Sequence, residues 1–259
     1  MIHETAIVDK RAEIDPSVEI GPYAIIGPDV KIGKGTKIGS SVRIEGRTTI
    51  GENNRIYHGA VIGLEPQDYA FKGEESGVII GDNNIIREYA SIHRATGEGN
   101  YTVVGDNNFI MAYAHIAHNC KIGSNIIIVN AAQLAGHVEV EDYAYISGLV
   151  GVHQFVRIGR YSLIGANSKL VQDLPPFVIA QGVSARATGI NIVGLKRKGF
   201  DYSRIRIIKE IYRIFFRSNL NTGEAIEKIL EEFKDSPDAL EFVEFVKKSR
   251  RGVLKKSDE

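Results

Sequence analysis

No stretch of this 259-residue chain is apolar for the ~20 residues needed to cross a bilayer, and MIHETAIVDK at its start lacks the apolar core of a signal peptide. Cysteine is nearly missing. Cys120 stands alone, which excludes an internal disulfide framework and suits a reducing compartment. Net charge is missing as well, with 32 basic against 32 acidic side chains, so overall charge selects no polyanion. The expectation is a cytoplasmic protein with no nucleic-acid partner and no stable membrane insertion.

The charge that is present is unevenly spread. Residues 191–259 hold 16 Lys and Arg against 12 Asp and Glu, and residues 1–190 hold 16 against 20. Within 196–217, Lys196, Arg197, Lys198, Arg204, Arg206, Lys209, Arg213 and Arg217 face only Asp201 and Glu210. Such a patch favours an acidic partner.

The dominant signal is a period of six. Stepping by six from Ile2 to Leu170 visits 29 positions, of which 26 are Ile, Val or Leu; the exceptions are Asp68, Glu74 and Glu98. No helical or simple strand pattern holds one phase for so long. The residue after the aliphatic is often Gly, as at Gly21, Gly33, Gly39 and Gly123, and the residue two before it is small or β-favouring, as at Ala24, Thr36, Ala114 and Cys120. Glycine in that column reads as a corner residue, tolerant of strained backbone angles. Hexads of this kind mark a parallel β-helix, three to a triangular turn of 18 residues. Two excursions interrupt it: LEPQDYAFKGEESGVI between Ile62 and Ile80, and TGEGNYT around Glu98. Insertions in repeat proteins become loops, often on the binding face.

After Leu170 the pattern ends at DLPPFVIAQG, and from about residue 200 the period is helical. Ile205, Ile208, Ile211, Tyr212 and Phe215 form an apolar stripe, Asn221 with Glu224 fits a capping box, and Ser236 before Pro237 fits an N-cap. The predicted architecture is therefore a β-solenoid over 1–190 and a C-terminal α-helical domain of three helices over 191–259.

Residues 18 apart stack at the spacing of neighbouring strands. His118 then lies over Gly136 and Gln154, Asn119 over His137, and Ala117 over Ala135 and His153. AHIAH, QLAGH and GVHQF share one edge of three consecutive turns, which gathers His115, His118, His137 and His153 into a patch roughly 10–15 Å across. A neutral imidazole is the usual general base. If the electrophile is a thioester, Gly136 offers a backbone N–H to the oxyanion with no side chain in the way. The rival chemistry is zinc held by three histidines, as in carbonic-anhydrase-like β-helix enzymes, although the three segments hold no carboxylate to orient such ligands. A non-enzymatic scaffold would need neither stacked histidines nor a basic helical tail.

AHIAHNC, LAGHV, VHQF, VIAQG after the double proline, and GLKRKGF resemble the acyl-ACP–UDP-N-acetylglucosamine O-acyltransferases, the LpxA family of hexapeptide-repeat enzymes. The resemblance implies a left-handed parallel β-helix, a homotrimer with active sites between subunits, and no cofactor or metal. It implies transfer of an (R)-3-hydroxyacyl group from acyl carrier protein, which is small and acidic, to the 3-position of UDP-GlcNAc, the first step of lipid A biosynthesis. His118 then corresponds to the general base and Gly136 to the oxyanion donor. Gln67, Asp68, His93, His115, His137, His153, Gln154, Asn191 and Arg197 fall on substrate-binding positions, and Ala166 and Lys169 on the acyl-chain ruler. Lys169 at the tunnel end implies a shortened chain.

The chain departs from the family at several of these places. Asn119 stands where Asp usually follows the base, able to orient the imidazole but not to stabilise imidazolium by charge. Lys72 comes two places late in the loop, Val193 replaces a frequent Glu, and Lys198 a frequent Arg. These changes leave open a 3-amino analogue of UDP-GlcNAc as acceptor, since an amine is the better nucleophile.

Overall fold

The structure is a computed structural model and describes residues 1–254; the last five residues of the expected helical domain lie outside it. Short strands at each hexad stack into three sheets of nine, eight and ten strands, which form the faces of a triangular coil. Neighbours in each sheet are parallel, except that Arg186–Ile190 turns back antiparallel on Val178–Gln181 at the end of the ten-stranded sheet. The double proline therefore ends the regular corners, but that sheet continues by two more strands.

The register is the predicted one wherever no excursion intervenes: His115 lies opposite Gln133, and Gln133 opposite Gly151. Across the two excursions the phase is kept while the step lengthens, so that Ile62 faces Ile92 and Ile80 faces Val104. The frame aliphatics from Ile20 to Leu170 are buried, whereas Ile2, at the open end of the coil, is 51% exposed. The small-residue column is buried beside them and includes Asn54, Asn84 and Asn108. Each of these amides accepts from the backbone N–H one turn on and donates to a corner carbonyl, at 2.8–2.9 Å, so the polar atoms inside the coil are paired.

Gly63 has the positive φ expected of the glycine column, at 79°, but other members have a different cause. The left-handed backbone falls two places later, on residues such as Tyr23, Asn53, Asn83, Tyr113 and Asn119, with φ between 55° and 59° for the Asn and Tyr23 and 61° for Tyr113. Gly33 and Gly39 have ordinary φ. Their constraint is contact, since a Cβ on Gly33 would lie 2.7 Å from the Gly51 carbonyl oxygen and one on Gly39 3.0 Å from the Ile56 carbonyl oxygen of the next turn.

Four helices follow the coil, one more than predicted: α1 (Ile192–Arg197), α2 (Tyr202–Arg217), α3 (Thr222–Phe233) and α4 (Pro237–Lys247). Asn191 caps the additional helix, and Asn221 and Ser236 cap α3 and α4 as their sequence signals require. The apolar faces of α2, α3 and α4 share one continuous core with the last turns of the solenoid. None of the helices is long and apolar enough to cross a membrane among the described residues.

Candidate active site

Outward positions of the nine-stranded sheet form a ladder, Ser91, His115, Gln133, Gly151 and Lys169, each strand supplying one residue. The corner after each strand adds His93, His118 with Gly136 above it, and then His153 and Gln154. All of these except Ser91 line a cleft of about 660 Å3, together with Gln67 and Asp68 from the first excursion. Nine of the predicted site residues meet here: Gln67, Asp68, His93, His115, His118, Gly136, His153, Gln154 and Lys169.

His118 is hydrogen-bonded at one ring nitrogen and faces a carboxylate at the other. Nδ1 lies 2.9 Å from the Asn119 side-chain oxygen, and Nε2 lies 3.6 Å from the Asp68 carboxylate. Its ring sits directly over Gly136, where a Cβ would come within 2.5 Å of Cε1 and Nε2. The Gly136 N–H donates to no other backbone group of the described residues. His137 stands edge-on to His118, ring centres 5.3 Å apart, and stacks on Phe155 at 4.6 Å. It tops the ridge and faces a second cleft on the far side, lined also by Lys121 and Arg157.

On the preceding strand Ser91 Oγ lies 2.8 Å from His115 Nδ1, and His93 meets His115 edge-on at 4.8 Å. Burial, reinforced by His93 and His118 beside it, pushes the His115 imidazole down to about 4. Burial and His118 likewise lower His93, and the same two causes lower His137. Cys120 belongs to the inward column: its thiol donates to the Ala135 carbonyl at 3.2 Å, and burial pushes it up to about 12, so it is inert. No three His, Cys, Asp or Glu side chains converge as a metal site among the described residues.

Besides His137, four predicted residues are not in the lining of this cleft. Ala166 is exposed at the next corner. Asn191 is buried, its side chain donating to the Tyr161 carbonyl and accepting from Gly194, while Arg197 is exposed in the last turn of α1. Asn119 lies behind His118. Several cations of the basic segment are engaged internally: Arg204 clasps Asp238 with two bonds of 2.7 and 2.8 Å, Arg213 pairs with Glu210, and Lys198 lies over Tyr143. Gln133 lines the cleft but was missed, although the 18-residue step from His115 points straight to it.

A family model described as UDP N-acetylglucosamine O-acyltransferase, domain 2, matches residues 173–254, and the bacterial transferase hexapeptide model matches 29–64 and 101–136. An acyl-[acyl-carrier-protein]–UDP-N-acetylglucosamine O-acyltransferase of Thermodesulfovibrio yellowstonii is 52% identical over 255 residues, 98% of this chain and 99% of that one. The UDP-N-acetylglucosamine acyltransferase structure of Francisella novicida superposes with a TM-score of 0.96 at 45% identity, covering 100% of this chain and 95% of that one. The LpxA structure of Acinetobacter baumannii gives 0.95 at 42% identity, covering 98% and 99%.

Burial of His115 has a consequence for stability. Its folded-state value of about 4 lies below the unfolded 6.5, so the unfolded chain binds the extra proton and His115 costs stability progressively as pH falls from 6.5 towards 4. Glu241, raised by burial to about 7, acts in the opposite sense and gains stability over the same fall. The comparison that isolates His115 is therefore between variants. In urea titrations, His115→Gln should lose less stability than the wild type between pH 7.5 and pH 4.5. An equal loss in both would refute the burial argument.

Proposed function

Because the chain belongs to the acyl-[acyl-carrier-protein]–UDP-N-acetylglucosamine O-acyltransferase family, we propose that His118 is the general base of its acyl transfer. The solenoid is a left-handed β-helix of that family. The enzyme moves an acyl group from acyl carrier protein to the 3-hydroxyl of UDP-N-acetylglucosamine, the first step of lipid A biosynthesis. The acyl group we assign is (R)-3-hydroxyacyl.

In this mechanism Nε2 of His118 takes the proton of the sugar 3-hydroxyl as its oxygen attacks the thioester carbonyl. The oxyanion of the tetrahedral intermediate accepts a hydrogen bond from the Gly136 N–H. Collapse expels the carrier's thiolate, which leaves with the proton held on His118. The observation that carries this reading is that His118 lies over Gly136 in one cleft, where the Gly136 N–H has no backbone acceptor among the described residues and Asp68 stands on the acceptor side. Gln67, Asp68, His93, His115, His137, His153 and Gln154 are assigned to the sugar nucleotide and acyl group. Lys196, Arg197, Arg206 and Lys209, exposed on α1 and α2, are assigned to electrostatic attraction of the acidic carrier protein.

In a transfer assay with 3-hydroxyacyl carrier protein and UDP-GlcNAc, His118→Ala should lower kcat by roughly 10²–10⁴, the worth of a positioned base. Gly136→Ala should lower it too, since its methyl would occupy the ring's place. Full activity in His118→Ala would discard the assignment. The same assay with the 3-amino analogue examines the second acceptor, which the uncharged Asn119 favours.

A homotrimer is also assigned, with Asn191 and Arg197 of a neighbouring subunit completing the nucleotide end of the cleft. Supporting it is an apolar outer face on the ten-stranded sheet, Ile85, Phe109, Ile127, Tyr145 and Leu163, beside a ridge where Tyr89, Tyr113 and Leu149 are 48–63% exposed. Monomers rarely leave a patch of that kind uncovered. Tyr113→Glu combined with Leu149→Glu should lower the mass measured by light scattering below that of a trimer, and a wild-type monomer would rule the assembly out.

Chain length is assigned to Lys169. Gly151 leaves open space on the ladder between Gln133 and Lys169, with nothing within 4 Å of where a Cβ would stand, so an acyl chain can run along the sheet until it meets the lysine. Lys169→Ala should shift donor preference towards longer chains. An unchanged preference would remove Lys169 from the ruler.

A further inference from the structure

The three acidic breaks in the hexad frame, Asp68, Glu74 and Glu98, all serve the two excursions. The Glu74 carboxylate accepts the Gly97 N–H at 2.7 Å, and the Glu98 carboxylate accepts the Glu75 N–H at 3.0 Å. Backbone bonds from Gly99 to Glu75 and from Arg94 to Leu64 complete the seam. Two loops far apart in the repeat are thereby zipped into one unit, which approaches His118 directly on one side and through Asn119 on the other. Asp68 of the first loop faces Nε2, and Thr96 of the second loop holds Asn119, which faces Nδ1.

We propose that Thr96 is a positioning residue for the base: it locks the Asn119 amide in one orientation and thereby fixes which nitrogen of His118 carries the proton. This rests on the reading of His118 as general base. The Thr96 backbone N–H and hydroxyl donate to the Asn119 side-chain oxygen at 2.9 and 3.0 Å, and the Asn119 NH2 donates to the Thr96 carbonyl at 3.0 Å. Rotating the amide by half a turn would set donor against donor and acceptor against acceptor at both ends, so the oxygen is the atom that faces His118. An amide oxygen only accepts. Nδ1 of His118, 2.9 Å away, must therefore carry the hydrogen, which leaves the lone pair on Nε2, towards Asp68 and the cleft.

The same contacts account for an amide rather than a carboxylate at this position. An aspartate would keep the bonds to the Thr96 N–H and to His118, but it would press its second oxygen against the Thr96 carbonyl, where Asn119 now donates at 3.0 Å. Thr96 and Asn119 form a matched pair: the loop supplies the orientation, and the amide transmits it without adding charge.

Long-range 1H–15N spectra of histidine-labelled protein test this, with the His118 signals assigned by their loss in His118→Ala. The wild type should show the Nδ1–H tautomer. Asn119→Ala and Thr96→Pro, which deletes the N–H donor, should each populate the Nε2–H tautomer and lower kcat by about 10–100-fold, the usual worth of a partner that orients an imidazole, while KM for UDP-GlcNAc changes little. Thr96→Ala, which keeps both backbone bonds, should stay close to wild type. If Thr96→Pro does not fold, Glu74→Ala loosens the same segment through Gly97 and should give the same tautomer shift. A wild-type Nε2–H tautomer, or an unaltered tautomer in folded Thr96→Pro or in Glu74→Ala, would overturn the proposal. A fully active His118→Ala alongside the expected spectra would overturn the base instead and leave the tautomer lock standing.

Discussion

The parallel backbone ladder is the constraint on which the rest of this molecule depends. Each turn hands its N–H groups to the carbonyls of the next, as where His115 donates to Ala132 at 2.9 Å and Ala117 to Leu134 at 3.0 Å. In a parallel sheet a one-residue slip of that pairing moves every outward residue inward. Here the buried Ile116, Leu134 and Val152 and the paired amides of Asn54, Asn84 and Asn108 make a slip costly on every face. Residues far apart in the chain are thus held at strand spacing, which lets His115, Gln133, Gly151 and Lys169 act as one line of side chains. A loop-built site would have to order each of these separately.

What the ladder controls was legible in the sequence. The hexad frame implied the coil, its inward column and the stacking of His118 on Gly136, because one geometric rule generates them all. Misreadings arose where two causes select the same residue. Glycine after the aliphatic was assigned to backbone strain, yet at Gly33 the reason is the approach of the next turn, and the left-handed corners belong to residues such as Asn53 and Tyr23. α1 escaped notice because six residues with a glycine in the middle carry no periodic signal; only its cap at Asn191 and its burial of Leu195 define it. Thr96 was invisible for a related reason. Its grip on Asn119 is mostly backbone, and backbone contacts between loops leave no mark on residue type.

The cleft arranges charge in an unusual way for an imidazole base. The partner on the Nδ1 side is a neutral amide, and the carboxylate sits on the Nε2 side, 3.6 Å off, where the acceptor must enter. Around it lie His93, His115 and His137, each with its proton affinity lowered by burial first; His118 comes next for His93 and His137, and His93 and then His118 for His115. The cluster supplies apolar-bodied contacts and hydrogen-bonding groups around the base, with burial disfavouring the charged form of each.

Periodicity alone could not build that arrangement. A strict coil repeats its contacts every turn, so any group it presents to His118 would have a counterpart beside every equivalent corner. Base catalysis needs the opposite: one nitrogen protonated, one free, and one carboxylate near a single corner. The departures from the frame supply this asymmetry. Asp68 and Thr96 reach His118 and Asn119 only because the steps from Ile62 to Ile92 and from Ile80 to Val104 are longer than a regular turn. Glu74 and Glu98 hold the extra residues in register with each other rather than with the coil. The lattice sets where His118 stands; the two insertions determine what it can do there.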